Sequence, residues 1–117
     1  MMKKKLPIFL CFLFIVFSSQ NIFAYNYRTH IYDWRGENIY NVCASNFTDG
    51  SHVALIIDLD RGITYCFVCP NKSSAMEMYQ SLCRMNVGTL AEVIRMTRWK
   101  YWFTQDGWIY YRDNGML

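Results

Sequence analysis

The residues of this chain whose type and spacing most readily suggest chemistry are four of its five cysteines, Cys43, Cys66, Cys69 and Cys83, the fifth, Cys11, lying in the leader-like first 24 residues. Cys66-Phe-Val-Cys69 has the C-x-x-C spacing of dithiol oxidoreductases, in which a helix dipole lowers the pKa of the attacking thiol. That chemistry needs the motif at a helix start. Here the first helix signal comes several residues later, at Ser74, and no βαβ pattern precedes the motif. A Cys₄ zinc set is the second reading, but only one pair has knuckle spacing, and an oxidising compartment favours disulfides. Two disulfides are therefore expected. An extended 66–69 segment sets its ends about 10 Å apart, beyond disulfide reach. Links from Cys66 or Cys69 to Cys43 or Cys83 are preferred, and the pairing stays open.

The other chemistry-bearing residues form no catalytic set. His30 and His52 stand in neither a metal spacing nor a nucleophile motif. Asp58 and Asp60 flank a turn and read as turn residues rather than as an acid/base pair. Asn46-Phe-Thr48 and Asn71-Lys-Ser73 are formal glycosylation sequons that matter only in a eukaryotic secretory host. The sequence therefore predicts a protein that is not an enzyme and needs no cofactor or metal.

Residues 1–24 have the layout of a bacterial signal peptide: three lysines, an apolar run over 6–17, a polar stretch and a closing Ala24. The apolar run is too short for a hydrocarbon core that takes about 20 residues. Cleavage after Ala24 leaves a single domain over 25–117, exported through the periplasm and secreted. It also removes Lys3, Lys4 and Lys5 from the 12 basic side chains, so 9 basic residues face 9 acidic ones. A near-neutral mature chain has no Lys/Arg stripe to follow a phosphate backbone, which excludes nucleic acid as a partner. Sixteen of the 21 aromatic residues remain, mostly Tyr and Trp, whose flat amphipathic rings suit interfaces and sugar faces.

The elements that position these residues are organised around 53–96. Runs at 53–59 and 63–68, joined by Asp60-Arg61-Gly62, predict a hairpin. The Asp49-Gly50 turn joins a strand at 39–44 to the first of them, and 25–34 offers a further strand with Tyr27, Thr29 and Ile31 on one face. Ser74-Ala-Met-Glu77 has capping-box spacing. It predicts a helix that packs Ala75, Met78, Tyr79, Leu82, Cys83 and Met85 on one face and ends at a left-handed Gly88. Residues 89–96 are expected to return as a strand, because Val93 and Ile94 are β-branched. Past Thr97, alternation places Trp99, Tyr101 and Phe103 on one side of a strand and Lys100 and Trp102 on the other, before a last strand at 108–112.

This order gives a mainly β fold with one helix (α+β), a small five-stranded OB-type barrel with its helix after the third strand. The hairpin 43–57, Cys-Ala-Ser-Asn-Phe-Thr-Asp-Gly-Ser-His-Val-Ala-Leu-Ile-Ile, and the passage 74–94 with Gly88 at its junction resemble the B subunits of pertussis-like and typhoid-toxin-like AB toxins. The resemblance implies a homo-pentamer, or a mixed ring with a related B subunit, that carries an enzymatic A subunit and binds sialylated glycans on host cells. It also implies a pocket built from Tyr27 and Thr29 near the mature N-terminus and from Thr48 and Ser51 in the hairpin loop. Arg28 would hold the sialic acid carboxylate by charge-assisted hydrogen bonds, and Tyr27 would cover the sugar ring. The family's cross-hairpin cysteine is replaced here by Leu55, so its disulfide pattern does not carry over. The competing class is an exported inhibitor or immunity protein, for which only Gln105-Asp-Gly107 offers a protruding loop.

Overall fold

The computed structural model describes residues 25–114. The expected signal peptide, residues 1–24, lies outside the described residues. Six strands form one mixed sheet: β1 (Asn26–Tyr32), β2 (Asn38–Asn46), β3 (His52–Asp58), β4 (Ile63–Cys69), β5 (Trp99–Gln105) and β6 (Trp108–Asp113). Two helices, α1 (Lys72–Cys83) and α2 (Val87–Met96), fall between β4 and β5. The sheet order is β1-β2-β3-β4-β6-β5, antiparallel throughout except where β6 runs parallel to β4.

The expected hairpins form. Gly50 (φ 93) and Gly62 (φ 70) take the positive φ that the β2–β3 and β3–β4 turns demand. Thr29 and Ile31 of β1 face the helices as alternation requires, with Ile31 buried in the main core and Thr29 bonded to Tyr79 of α1. That core lies between the sheet and the helices and joins Val42, Ala54, Ile56, Tyr65 and Phe67 to Leu82 of α1 and Leu90 of α2.

The five-stranded barrel with one helix is overturned: the sheet has six strands, is open, and is backed by two helices. Residues 89–96 belong to a helix rather than to a returning strand. The Asn86 side chain caps α2 by accepting from the Thr89 amide at 2.8 Å, and Leu90, Val93 and Ile94 then share the face that meets the core. At 3.6 residues per turn, that apolar spacing outweighs the β-branched pair. Gly88 therefore lies inside α2, and α1 ends at Arg84. The start of α1 also moves: Asn71, not Ser74, is its cap, accepting from the Ser74 amide at 2.8 Å.

β5 departs from simple alternation as well. The register slips between Tyr101 and Phe103, leaving Trp102 as the extra residue of a bulge. Phe103 consequently stacks on Tyr110 at 4.4 Å instead of sharing a face with Trp99 and Tyr101. Phe47, from the β2–β3 turn, meets Trp102 at 5.6 Å and Tyr110 at 6.3 Å. Residues four strands apart in the sheet can touch only if it coils, so the β5–β6 hairpin curls over the face away from the helices. A second core of Cys43, Val53, Leu55 and Cys66 is buried beneath it.

Candidate functional site

Among the described residues all four cysteines, Cys43, Cys66, Cys69 and Cys83, are free thiols rather than the two expected disulfides. Cys43 and Cys66 both lie opposite Leu55 of β3, one on each side, which separates them by two strand spacings, about 10 Å. That is too far for a disulfide. Burial pushes the Cys43 thiol up to about 11 and raises Cys66 in the same sense. A C-x-x-C nucleophile needs the opposite shift. Cys69 stands at the end of β4 beside His52, and Cys83, at the end of α1, donates weakly to Thr29 Oγ1 at 3.4 Å. Among the described residues, no three His, Cys, Asp or Glu side chains gather closely enough to hold a metal ion.

The five residues of the expected glycan pocket do not converge. Tyr27 and Thr29 lie on the helix side of β1, where Thr29 Oγ1 bonds Tyr79 Oη at 2.7 Å and the Tyr27 ring lies 6.3 Å from that of Tyr79. Thr29 is thus a packing residue, while Tyr27 remains 43% exposed. Arg28 points to the opposite face, because successive strand residues alternate and its partner Cys43 belongs to the second core. Thr48 is exposed in the β2–β3 turn, and the Ser51 amide donates to Asp49 Oδ1 at 2.9 Å to shape that turn. One sugar cannot touch Tyr27 and Arg28 from the same side of β1.

What β1 presents on its outer face is a different group: Arg28, His30 and Tyr32, backed by Asn38 and Asn41 of β2. His30 Nδ1 lies 3.2 Å from Asn38 Oδ1, and the exposed imidazole can donate or accept there according to its tautomer. Asn38 is itself fixed by bonds from Nδ2 to the Ile31 and Tyr40 carbonyls, at 3.1 and 2.8 Å. With the Asn41 amide oriented to satisfy its neighbours, its nitrogen donates to Asn38 Oδ1 at 3.0 Å and to the Tyr40 carbonyl at 3.2 Å. Its oxygen then accepts from Arg28 Nη1 at 3.0 Å. One guanidinium hydrogen is used in this way and the others remain available to an anion. The Tyr32 ring stacks on that of His30 at 6.4 Å and is 57% exposed.

No family model, curated protein or solved structure matches this chain. The resemblance to AB-toxin B subunits therefore rests on its own residues alone, and the open six-stranded sheet removes the OB-type order that supported it.

The β1–β2 turn completes the surface. Asp33 Oδ1 accepts from the Arg35 and Glu37 amides at 2.9 and 3.0 Å, and Asp33 Oδ2 accepts from Arg35 Nε and Nη2 at 3.1 and 2.9 Å. The Glu37 amide and the Arg35 contacts hold the Asp33 carboxyl below its ordinary pKa. Arg35 also reaches Glu37 at 3.3 Å, and its guanidinium lies 5.8 Å from the centre of the Trp34 ring. The indole at the tip is 91% exposed. Gly36-Glu-Asn38 reads as a turn in the sequence, and the structure forms it slightly earlier, over 33–37, because Asp33 accepts the amides that close it and Asn38 already opens β2.

Proposed function

We propose that this protein is an exported, non-catalytic module that binds acidic glycans of the sialylated class through the outer face of β1. The observation that carries this reading is the Arg28–Asn41–Asn38–His30 hydrogen-bond network lying directly beside the stacked Tyr32 ring. A sialic acid offers a carboxylate for the free guanidinium hydrogens of Arg28 and hydroxyls for His30 Nε2. Its apolar ring face suits Tyr32. The groups are already held by one another, so ordering them costs little on binding. The site assigned from the resemblance is kept only at Arg28; Tyr32 takes the stacking role first given to Tyr27.

A sialoglycan array tests the reading with the wild-type chain, Arg28→Gln, Tyr32→Ala and Tyr27→Ala. Sialoglycan binding that is lost with the first two substitutions and kept with the third is the expected outcome. Loss with Tyr27→Ala alone moves the site to the helix side, and a wild-type chain that captures no sialoglycan refutes the proposal. The second reading, an exported inhibitor, is favoured by one feature, the braced Trp34 tip, which has the character of an anchor residue for a protein pocket.

A further inference from the structure

The polar cluster on the outer face of β1 is followed, at the β1–β2 turn, by a residue of a different kind. Arg28, His30, Asn38 and Asn41 form a polar cluster connected by hydrogen bonds. Trp34 lies beyond Tyr32, at the turn, and shares none of those bonds. Its ring is instead backed by Arg35, whose guanidinium is fixed by Asp33 and Glu37. A cation against one ring face restricts the indole and leaves its other face to solvent. Among the described residues none covers that face: Trp34 is 91% exposed and belongs to neither core. The braced indole therefore offers a flat apolar ring face at a fixed place in the turn, two residues beyond Tyr32.

We infer that Trp34 is a separate subsite that stacks on the sugar next to the acidic one, so the protein reads a glycan of at least two residues rather than a terminal acid alone. The inference rests on the acidic-glycan reading of the Arg28 cluster. The carboxylate-bearing sugar occupies Arg28, His30 and Tyr32, and the chain of the glycan continues over the turn. The backing of the indole also requires Arg35 to stay paired with Asp33, which makes Asp33 a positioning residue for the subsite.

Titration calorimetry with two probes, free N-acetylneuraminic acid and a sialylated lactose trisaccharide, tests this on the mature chain. Trp34→Ala is expected to weaken the trisaccharide by about tenfold, the loss typical of truncating an anchoring tryptophan. It should leave the monosaccharide unaffected, and Trp34→Phe should restore most of the difference. Arg28→Gln should abolish both. In NMR spectra the Trp34 indole N–H should shift with the trisaccharide and not with the monosaccharide. Equal effects of Trp34→Ala on the two probes, or none on either, overturn the subsite and leave the Arg28 site standing. A wild-type chain that binds neither probe refutes the acidic-glycan reading and the subsite with it.

Discussion

Replacing Gly88 by alanine decides the sign of one structural claim. Gly88 is the second residue of α2, and Asn86, its cap, accepts from the Thr89 amide. A Cβ added at Gly88 meets only Asn86 Oδ1, at 3.5 Å, an ordinary contact that leaves the cap bond intact. In a helix, alanine is favoured over glycine, and it also narrows the unfolded ensemble, so Gly88→Ala should stabilise by about 0.4–1 kcal/mol. For a domain of this size each kcal/mol moves the melting temperature by about 4–8 °C, which gives an expected rise of about 2–8 °C. Had Gly88 closed the first helix in the left-handed conformation, the same change would cost about 1–2 kcal/mol. Gly62→Ala supplies that comparison, since Gly62 has open space around it but a φ of 70°. Thermal unfolding followed by far-UV circular dichroism should show the two variants moving in opposite directions. A fall in melting temperature for Gly88→Ala refutes α2 as described.

Further outcomes follow from the cores and the edges. Leu82 is 1% exposed between α1 and the sheet, so Leu82→Ala should cost about 2–5 kcal/mol in urea unfolding, while Gln80→Ala on the exposed side should cost little; equal shifts would put the helix phase in error. Cys43, with its pKa pushed up to about 11 from 9.0, keeps its proton in the fold while the unfolded chain releases it. The native state therefore binds more protons above pH 9, and stability present below pH 9 is lost as the pH rises through 11. Two pKa units correspond to about 3 kcal/mol; Cys66 and Tyr110, the latter raised to about 12 by burial, act in the same direction, and a urea midpoint unchanged from pH 7 to 11 contradicts the burial. In the unreduced, unfolded chain all four thiols should alkylate, and fewer would show that disulfides form after all. Among the described residues the sheet ends in two different edges, β1 and β5, so pairing one with the other would be head-to-tail and would give a ring where the rotation closes; native mass spectrometry that finds only a monomer at micromolar concentration removes the proposed pentamer and the carriage of an A subunit.

The parts of the fold legible in the sequence were those fixed locally. Gly50 and Gly62 announce their hairpins because only a positive φ turns the chain there. The face Ala75, Met78, Tyr79 and Leu82 of α1 follows from helical spacing, and Ala75 and Leu82 are indeed buried. Residues 89–96 were misread because β-branched Val93 and Ile94 carry strand propensity, while the deciding cap, Asn86, lies outside the segment being judged. The parallel pairing of β6 with β4 was not readable at all. It depends on two helices packing on one face so that the chain returns alongside β4, a choice made by tertiary contacts and not by any residue of 108–113.

The same division explains the site. Alternation alone places Arg28 on the face opposite Tyr27 and Thr29, so the expected pocket conflicted with the strand that was to hold it. The resemblance had drawn residues from both faces of β1 into one site. Once β1 is an edge strand backed on one side by α1, its helix-facing residues are used in packing: Thr29 bonds Tyr79 and Ile31 fills the core. The outward residues 28, 30 and 32 are exposed among the described residues, although Arg28 lies next to the second core through Cys43. Their organisation comes sideways, from Asn38 and Asn41 of β2, and the register that brings those asparagines level with Tyr32 and His30 is set by the β1–β2 turn. The turn that carries Trp34 therefore also aligns the polar cluster beside it. The Asp33 bonds to the Arg35 and Glu37 amides thus do two things at once, fixing the strand register and presenting the indole. Asp33→Ala should accordingly loosen both parts of the surface together, lowering affinity for an acidic monosaccharide as well as for a longer glycan, whereas Trp34→Ala should affect only the latter.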